Sequence, residues 1–425
     1  MTRRPAAQTN RKPRQVKVKA FPAPTKGWIA NENLAVSTPQ GAAILENWFP
    51  TATTVRLRKG QLRWATIDPG TDNIRSLFTY KAGAVEKLFA ATDNAIYDIT
   101  APASPYGFLI VDEDGNEIVS ESGDILGAEG VTDAEIFGLT GGEWVSVQFS
   151  TPDGIYLRLV NGDDEPLVYD GSTFDTVPAI TGTDLTPSNL SFAWSFKNRM
   201  WFIEKGTMDA WYLPVDQIGG VATKFPLGAQ FSRGGELVFG ASWSLDDGGG
   251  LSASCIFVTS EGEVAVYQGS NPGDANDWSL KGVYRIGKPL GHKAFMRAGG
   301  DLVIATDVGF VPLSQAIQRD FAALSPVAVS YPIETAWNAA TNSRPLGRWA
   351  VDVWPTQQMA IIGLPVQDSS RDEVYVVNVR TGAWGLFTGI GANCFALFQD
   401  RMVYGGKNGR IVQLESTGYD EGRTY

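Results

Sequence analysis

The sequence predicts an all-β protein, a β-propeller of six or seven blades, and three observations predict it. Strand-turn-strand segments recur along most of the chain. Gly is abundant, 47 of 425 residues, beside 13 Trp, 13 Tyr and 21 Phe, which suits many tight turns joining aromatic strands. Good helical periodicity is confined to one short stretch.

The recurring segments are Lys87–Thr100 (KLFAATDNAIYDIT), Tyr156–Asp170 (YLRLVNGDDEPLVYD), Lys197–Leu213 (KNRMWFIEKGTMDAWYL), Cys255–Tyr267 (CIFVTSEGEVAVY), Asp301–Pro312 (DLVIATDVGFVP), Val374–Phe387 (VYVVNVRTGAWGLF) and Met402–Leu414 (MVYGGKNGRIVQL). Each has a β-branched or aromatic run, a polar turn and a second run. Gly and Asn supply the positive φ that tight hairpins require. A lone hairpin buries only one face, so such units must stack. Radial closure leaves only short edges. The strand-like region Trp48–Trp64 is placed to pair with Ile411–Leu414 and close the ring. A sandwich of several sheets is the alternative architecture.

The expected organisation is an extended basic arm over residues 1–26, a propeller body over 27–417, and the start of a distal segment or tail over 418–425. The arm carries Arg3, Arg4, Arg11, Lys12, Arg14, Lys17, Lys19 and Lys26 and no acid. Eight of the 35 basic residues lie there, so residues 27–425 hold 27 bases against all 46 acids, a net charge of −19. An acidic body argues against a surface that coats nucleic acid. The arm is a candidate partner-binding segment, through Arg3, Arg4, Arg11, Lys12, Arg14, Lys17 and Lys19. It can neutralise phosphates without reading sequence, or order on an acidic protein surface, and the protein partner is the favoured reading.

Two segments interrupt the blades. Residues 101–142 carry nine acids and no base. There Phe108–Val111 and Glu117–Val119 flank Asp-Glu-Asp-Gly-Asn, which reads as an inserted acidic hairpin on the rim. Asp112, Glu113, Asp114 and Glu117 are its interface candidates. Residues 313–340 read as a helical excursion. Ile317, Phe321 and Leu324 follow i, i+4, i+7 behind a Ser314 cap, and a second helix is expected between Ile333 and Ala340.

Motifs for chemistry are sparse. His292 is the sole histidine; it reads as a turn residue and forms no His-based metal cluster. Asp112–Glu117 lacks the spacing of a calcium loop. Asp170-Gly171-Ser172-Thr173-Phe174 is similar to one turn of sialidase propellers but occurs once. Asp246–Gly250 has no following Lys-Ser/Thr, so it reads as a flexible loop rather than a phosphate loop. A glycosidase-type pair of acids is compatible with the composition. Cys255 and Cys394, far apart, read as buried thiols in a reducing compartment. No apolar run is long enough to span a membrane. No catalytic residue, metal or cofactor is expected.

Four stretches carry a family resemblance. They are Gly41–Gly60 (GAAILENWFPTATTVRLRKG), Val160–Phe174 (VNGDDEPLVYDGSTF), Thr259–Gly291 (TSEGEVAVYQGSNPGDANDWSLKGVYRIGKPLG) and Gly309–Trp337 (GFVPLSQAIQRDFAALSPVAVSYPIETAW). In this order they resemble the tail nozzle proteins (tail hub, or packaged-DNA-stabilisation proteins) of short-tailed bacteriophages. The resemblance implies a structural virion protein, assembled in the host cytoplasm and placed in the virion tail. It implies a self-assembled ring, usually a hexamer, below portal and adaptor proteins and beside tail fibres or tailspikes. Double-stranded DNA would pass through the lumen without sequence readout, retained after packaging and released at infection. The acidic segment 101–142 departs from the family as an insertion, and a distal tip beyond Gly418–Tyr425 is expected to be short or absent. Competing functions are a propeller scaffold for protein binding and a glycan-acting propeller hydrolase or lyase.

Overall fold

The computed structural model describes residues 22–31, 38–67, 72–102, 133–246, 251–366, 371–416, 419–420 and 423–424. Six small sheets stand as blades of a β-propeller ring. In chain order, with the inner strand of each named, the first five sectors are built on Ser76–Ala82, Val145–Thr151, Leu190–Phe196, Leu237–Asp246 and Phe295–Ala298. A seven-stranded sheet follows as sector 6, with an antiparallel meander beginning at Gly347–Trp354. Sector 7 is the last small sheet, with Cys394–Phe398 inside. The six blades fall within the expected count of six or seven, and the seven-stranded sheet stands between the fifth and the last of them.

Six of the seven recurring segments form the second and third strands of their own sectors, and Val374–Phe387 forms the third and fourth strands of the sector 6 meander. The turns explain why. Lys197 and Asn198 sit at φ 49° and 56°, and Asn408 and Gly409 at 56° and 67°. These are the left-handed pairs that match the twist of a two-residue hairpin.

Ring closure follows the sequence expectation. Leu62–Thr66 pairs antiparallel with Arg410–Gln413 and becomes the outer strand of sector 7. An early strand and a late strand thus share one sheet, so opening the ring costs a full strand ladder. Trp64 reinforces the seam; it is buried and its Nε1 donates to the Ile99 carbonyl of sector 1 at 2.8 Å.

Sector 5 has only three strands. The helical excursion stands where its fourth strand would be. Val329 N–H donates to the Phe310 carbonyl, which caps the open edge. The excursion differs from the expected helix behind Ser314. The first helix spans only Leu313–Ala316, so Ser314 lies inside it, with its Oγ and N–H bonded to Asp301. Single turns at Phe321–Ala323, Ser325–Val327 and Tyr331–Ile333 follow. Pro326 and Pro332 lack the N–H that a continuous helix needs and disfavour helical geometry just before them. The apolar spacing still faces inward: Leu324 is buried, and Ile317 and Phe321 pack against the core. The second helix, Glu334–Ser343, forms where expected. Its Trp337 is fully buried against Phe310, Trp349, Tyr375 and Trp384.

Aromatic side chains fill the gaps between sheets. Trp201 stacks on Trp194 and on Trp278, with centroids 5.8 and 5.5 Å apart, between sectors 3 and 4. Each such ring contributes about 1.5–3 kcal/mol through burial.

The N-terminal chain runs over the rim of sector 6. Gly27–Trp28 pairs in parallel with Gly41–Ala42 and touches Trp384. Trp28 packs edge-on against Tyr375, and Asn31 Nδ2 donates to the Tyr331 carbonyl. Ala30 and Asn31 thus lie beside the helical excursion. The acidic segment leaves sector 1 after Thr100 and rejoins it at Ile136–Phe137, the outer strand of that sheet.

Candidate functional site

The inner strands of all sectors converge on an axial cavity of about 350 Å³. Small residues at the axis leave this space: Ala193, Gly240, Ala241 and Ala350 all line it. Gly240 is required by packing, since a Cβ there would lie 2.4 Å from the Trp194 ring. Phe192, Trp194, Phe295 and Phe395 supply an aromatic wall.

The polar groups come from a strand inserted beside the axis. Gly291–Lys293 pairs in parallel with the start of Gly347–Trp354, with Lys293 opposite Ala350. His292 is therefore a strand residue, not the turn residue expected from Pro289-Leu290-Gly291. The pairing partner lies more than fifty residues away, so no local pattern signals it. Lys293 and Asp352 both line the cavity and are diagonal neighbours on adjacent strands.

Burial sets the electrostatics. The Lys293 ammonium donates to the Trp144 carbonyl at 2.7 Å. Desolvation lowers its pKa, while Cys394, Glu143 and Asp352 oppose that shift. Desolvation pushes Asp352 up to about 6, against the Val353 N–H bond and the Lys293 charge. His292 is pushed down to about 3 by burial and by Lys293, so its ring is neutral. Its Nε2 is buried without a hydrogen-bond partner. The Cys394 thiol rises to about 12 through burial, which keeps it un-ionised and weakly nucleophilic.

A separate polar hollow, which shares His292 with the axial cavity, is lined by Glu143, Asn161, Lys205, Glu236 and Arg348 among others. Arg348 pairs with Glu143 at 3.5 Å, and Arg75 with Asp93 at 2.8 Å. The arrangement can hold charged groups at an apolar wall. Among the described residues no cluster of three His, Cys, Asp or Glu has metal-binding geometry.

The sequence candidates fall elsewhere. Arg3, Arg4, Arg11, Lys12, Arg14, Lys17 and Lys19 of the arm lie outside the described residues, as do Asp112, Glu113, Asp114 and Glu117 of the acidic segment. Residues 247–250 of the expected flexible loop also lie outside them; the flanking Asp246 and Leu251 are paired across one hairpin. Asp170 is engaged locally: its Oδ1 accepts from the N–H of Ser172 and Thr173, which holds its carboxyl below the usual range. Cys255 and Cys394 are buried free thiols. No helix among the described residues is long and apolar enough to cross a membrane.

A second feature lies on the rim. Trp48–Pro50 pairs with Val55–Leu57, with Trp48 directly opposite Leu57. Ile44, Trp48 and Leu57 are 77%, 42% and 53% exposed.

No protein-family model matches the chain. No curated protein matches it. Several solved structures are similar to it at low scores. A computationally designed protein, Ika8, is 8% identical, with a TM-score of 0.39 over 83% of this chain and 99% of that one. BBS1N, solved in complex with ARL6DN, is 13% identical, with a TM-score of 0.32 over 56% of this chain and 63% of that one. Chaetomium thermophilum Raptor is 10% identical, with a TM-score of 0.43 over 84% of this chain and 28% of that one. All three scores lie below 0.5.

Proposed function

We propose that this chain is a structural virion protein, the tail nozzle of a short-tailed bacteriophage, rather than an enzyme. The propeller fold by itself fits a protein-binding scaffold. The specific reading rests on one observation, the ordered resemblance of four stretches to that family. Each stretch coincides with a structural unit. Gly41–Gly60 contains the rim strand pair, and Val160–Phe174 falls in sector 2. Thr259–Gly291 runs from sector 4 to the axial strand, and Gly309–Trp337 covers the helical excursion.

In this reading copies assemble head to tail into a ring, a hexamer by family expectation, and DNA passes through the lumen between copies. The axial cavity of a single chain is far too small to admit a duplex. A body of net charge −19 favours an acidic lumen wall that repels phosphate and keeps DNA mobile. The basic arm and the acidic segment are proposed contacts with neighbours, including adaptor, portal and fibre proteins. The exposed Trp48–Leu57 pair favours protein docking as well, because exposed apolar clusters mark interaction surfaces.

The deciding experiment is the mass of the protein in solution together with its location in particles. A ring mass and density below the portal are expected. A stable monomer that is absent from any virion overturns the reading. Deleting residues 1–21 is expected to weaken assembly or partner docking in DNA-free buffer. If the deletion abolishes only salt-sensitive DNA retention, the arm contacts DNA and the protein-docking role is wrong.

A further inference from the structure

We infer that the axial cavity is a binding site for a small zwitterion with an apolar body, of the free α-amino-acid type. The argument begins with charge. Lys293 and Asp352 face one cavity of about 350 Å³, on adjacent strands, and no ion pair joins them. Lys293 makes one described hydrogen bond, to a carbonyl, and Asp352 accepts one, from the N–H of Val353 at 2.7 Å. Both side chains are half-buried, and a charge drawn out of water is costly unless it is paired or hydrogen-bonded. Each of these has capacity for a counter-charge that the other does not fill.

Arg297, the third charged residue at the cavity, is exposed and donates to Ser242 Oγ at 2.9 Å; the two charges left to a ligand are those of Lys293 and Asp352, and a ligand that satisfies both is neutral overall. A bare anion would satisfy Lys293 and face Asp352. A bare cation would do the reverse. An amino acid places its carboxylate and ammonium close together, as two groups on neighbouring strands require. Both shifts agree with this arrangement: burial raises Asp352 and lowers Lys293, so each charged form gains from a partner.

The remaining wall selects the body. Phe192, Trp194, Phe295 and Phe395 surround the space with aromatic surface, and Ala241 and Ala350 leave room. Such a site, mostly apolar with a few convergent polar groups and perturbed titrations, has the character of a small-molecule pocket. The buried Nε2 of His292 adds one further polar contact at the same cavity.

The test uses the full chain at neutral pH and calorimetric titration with free phenylalanine, leucine and tryptophan. Two single-charge analogues, 3-phenylpropionate and phenethylamine, are titrated in parallel. At least one amino acid is expected to saturate, and to bind about tenfold or more tightly than its single-charge analogue. Lys293→Met is expected to reduce that amino acid to the affinity of the amine, and Asp352→Asn to that of the acid. Absence of saturable binding by all three amino acids below about 10 mM overturns the proposal. Equal binding of the analogues overturns it too. The analogue series on the unaltered protein decides the matter even where a variant fails to fold. The result is independent of ring assembly, which mass measurement reads separately.

Discussion

His292 shows how burial, with the Lys293 charge beside it, sets a protonation state. Its folded pKa of about 3 lies below the ordinary 6.5, so folding favours the neutral ring. The stability this contributes is complete above pH 6.5 and is lost as pH falls from there toward 3. His292→Gln should remove that loss. Between pH 7 and pH 5 the wild type is expected to lose on the order of 1 kcal/mol more than the variant, read by thermal unfolding at both pH values. An equal loss in the two proteins would show that the ring is solvated. Arg158 is a second case. It is fully buried, desolvation lowers it to about 10, and its Nε and Nη1 have no partner; Nη2 donates to the Pro178 carbonyl at 2.9 Å. An incompletely satisfied buried charge contributes little stability. Arg158→Met is therefore expected to be neutral or stabilising by about 1 kcal/mol in denaturant unfolding. A loss of several kcal/mol would mean that the single carbonyl bond outweighs desolvation.

At the scale of elements, two tryptophans join units that the chain order keeps apart. Trp64 lies on the strand that closes the ring, bonds sector 1 through Ile99, and packs against Phe398 at 6.0 Å. Trp64→Ala should cost about 3–5 kcal/mol. Because it loosens the seam, it should also expose the N-terminal strands to proteolysis. Trp337 fixes the second helix of the excursion to sectors 5 and 6, with its Nε1 donating to the Thr306 carbonyl at 2.9 Å. Trp337→Ala should cost a similar amount, about 3–5 kcal/mol, but leave the N-terminal strands protected. The pattern of protease cleavage distinguishes the two. The excursion also marks where local reading failed. Its apolar spacing was legible and its burial followed, but the continuous helix behind Ser314 did not form. The prolines break it, and Asp301, on a neighbouring strand, claims the Ser314 hydroxyl and N–H.

At the scale of the whole molecule, stability and assembly should separate. Trp48 and Leu57 are exposed and oppose one another on the rim. Replacing both with Ser should change unfolding by no more than about 0.5 kcal/mol per site. If the rim is an interface, as the nozzle reading expects, the same variant should assemble less well by native mass measurement. Unchanged assembly would remove this patch from the interface.

The sequence by itself determined the blades, because a hairpin is local: Lys197–Asn198 and Asn408–Gly409 carry the turn geometry, and the flanking runs carry the strands. It also pointed to closure of Trp48–Trp64 on Ile411–Leu414; the ladder that forms uses Leu62–Thr66 with Arg410–Gln413, while Trp48–Pro50 pairs with Val55–Leu57 on the rim. The axis, by contrast, is made by contacts between distant strands. Lys293 meets Asp352 through a parallel pairing between Gly291–Lys293 and a strand more than fifty residues later, and neither residue has a neighbour in sequence that announces it. The cavity exists because Ala193, Gly240, Ala241 and Ala350 converge from three sectors, each unremarked in its own strand. Short-range turn chemistry writes itself into adjacent residues; a charge site made at the meeting of many strands does not.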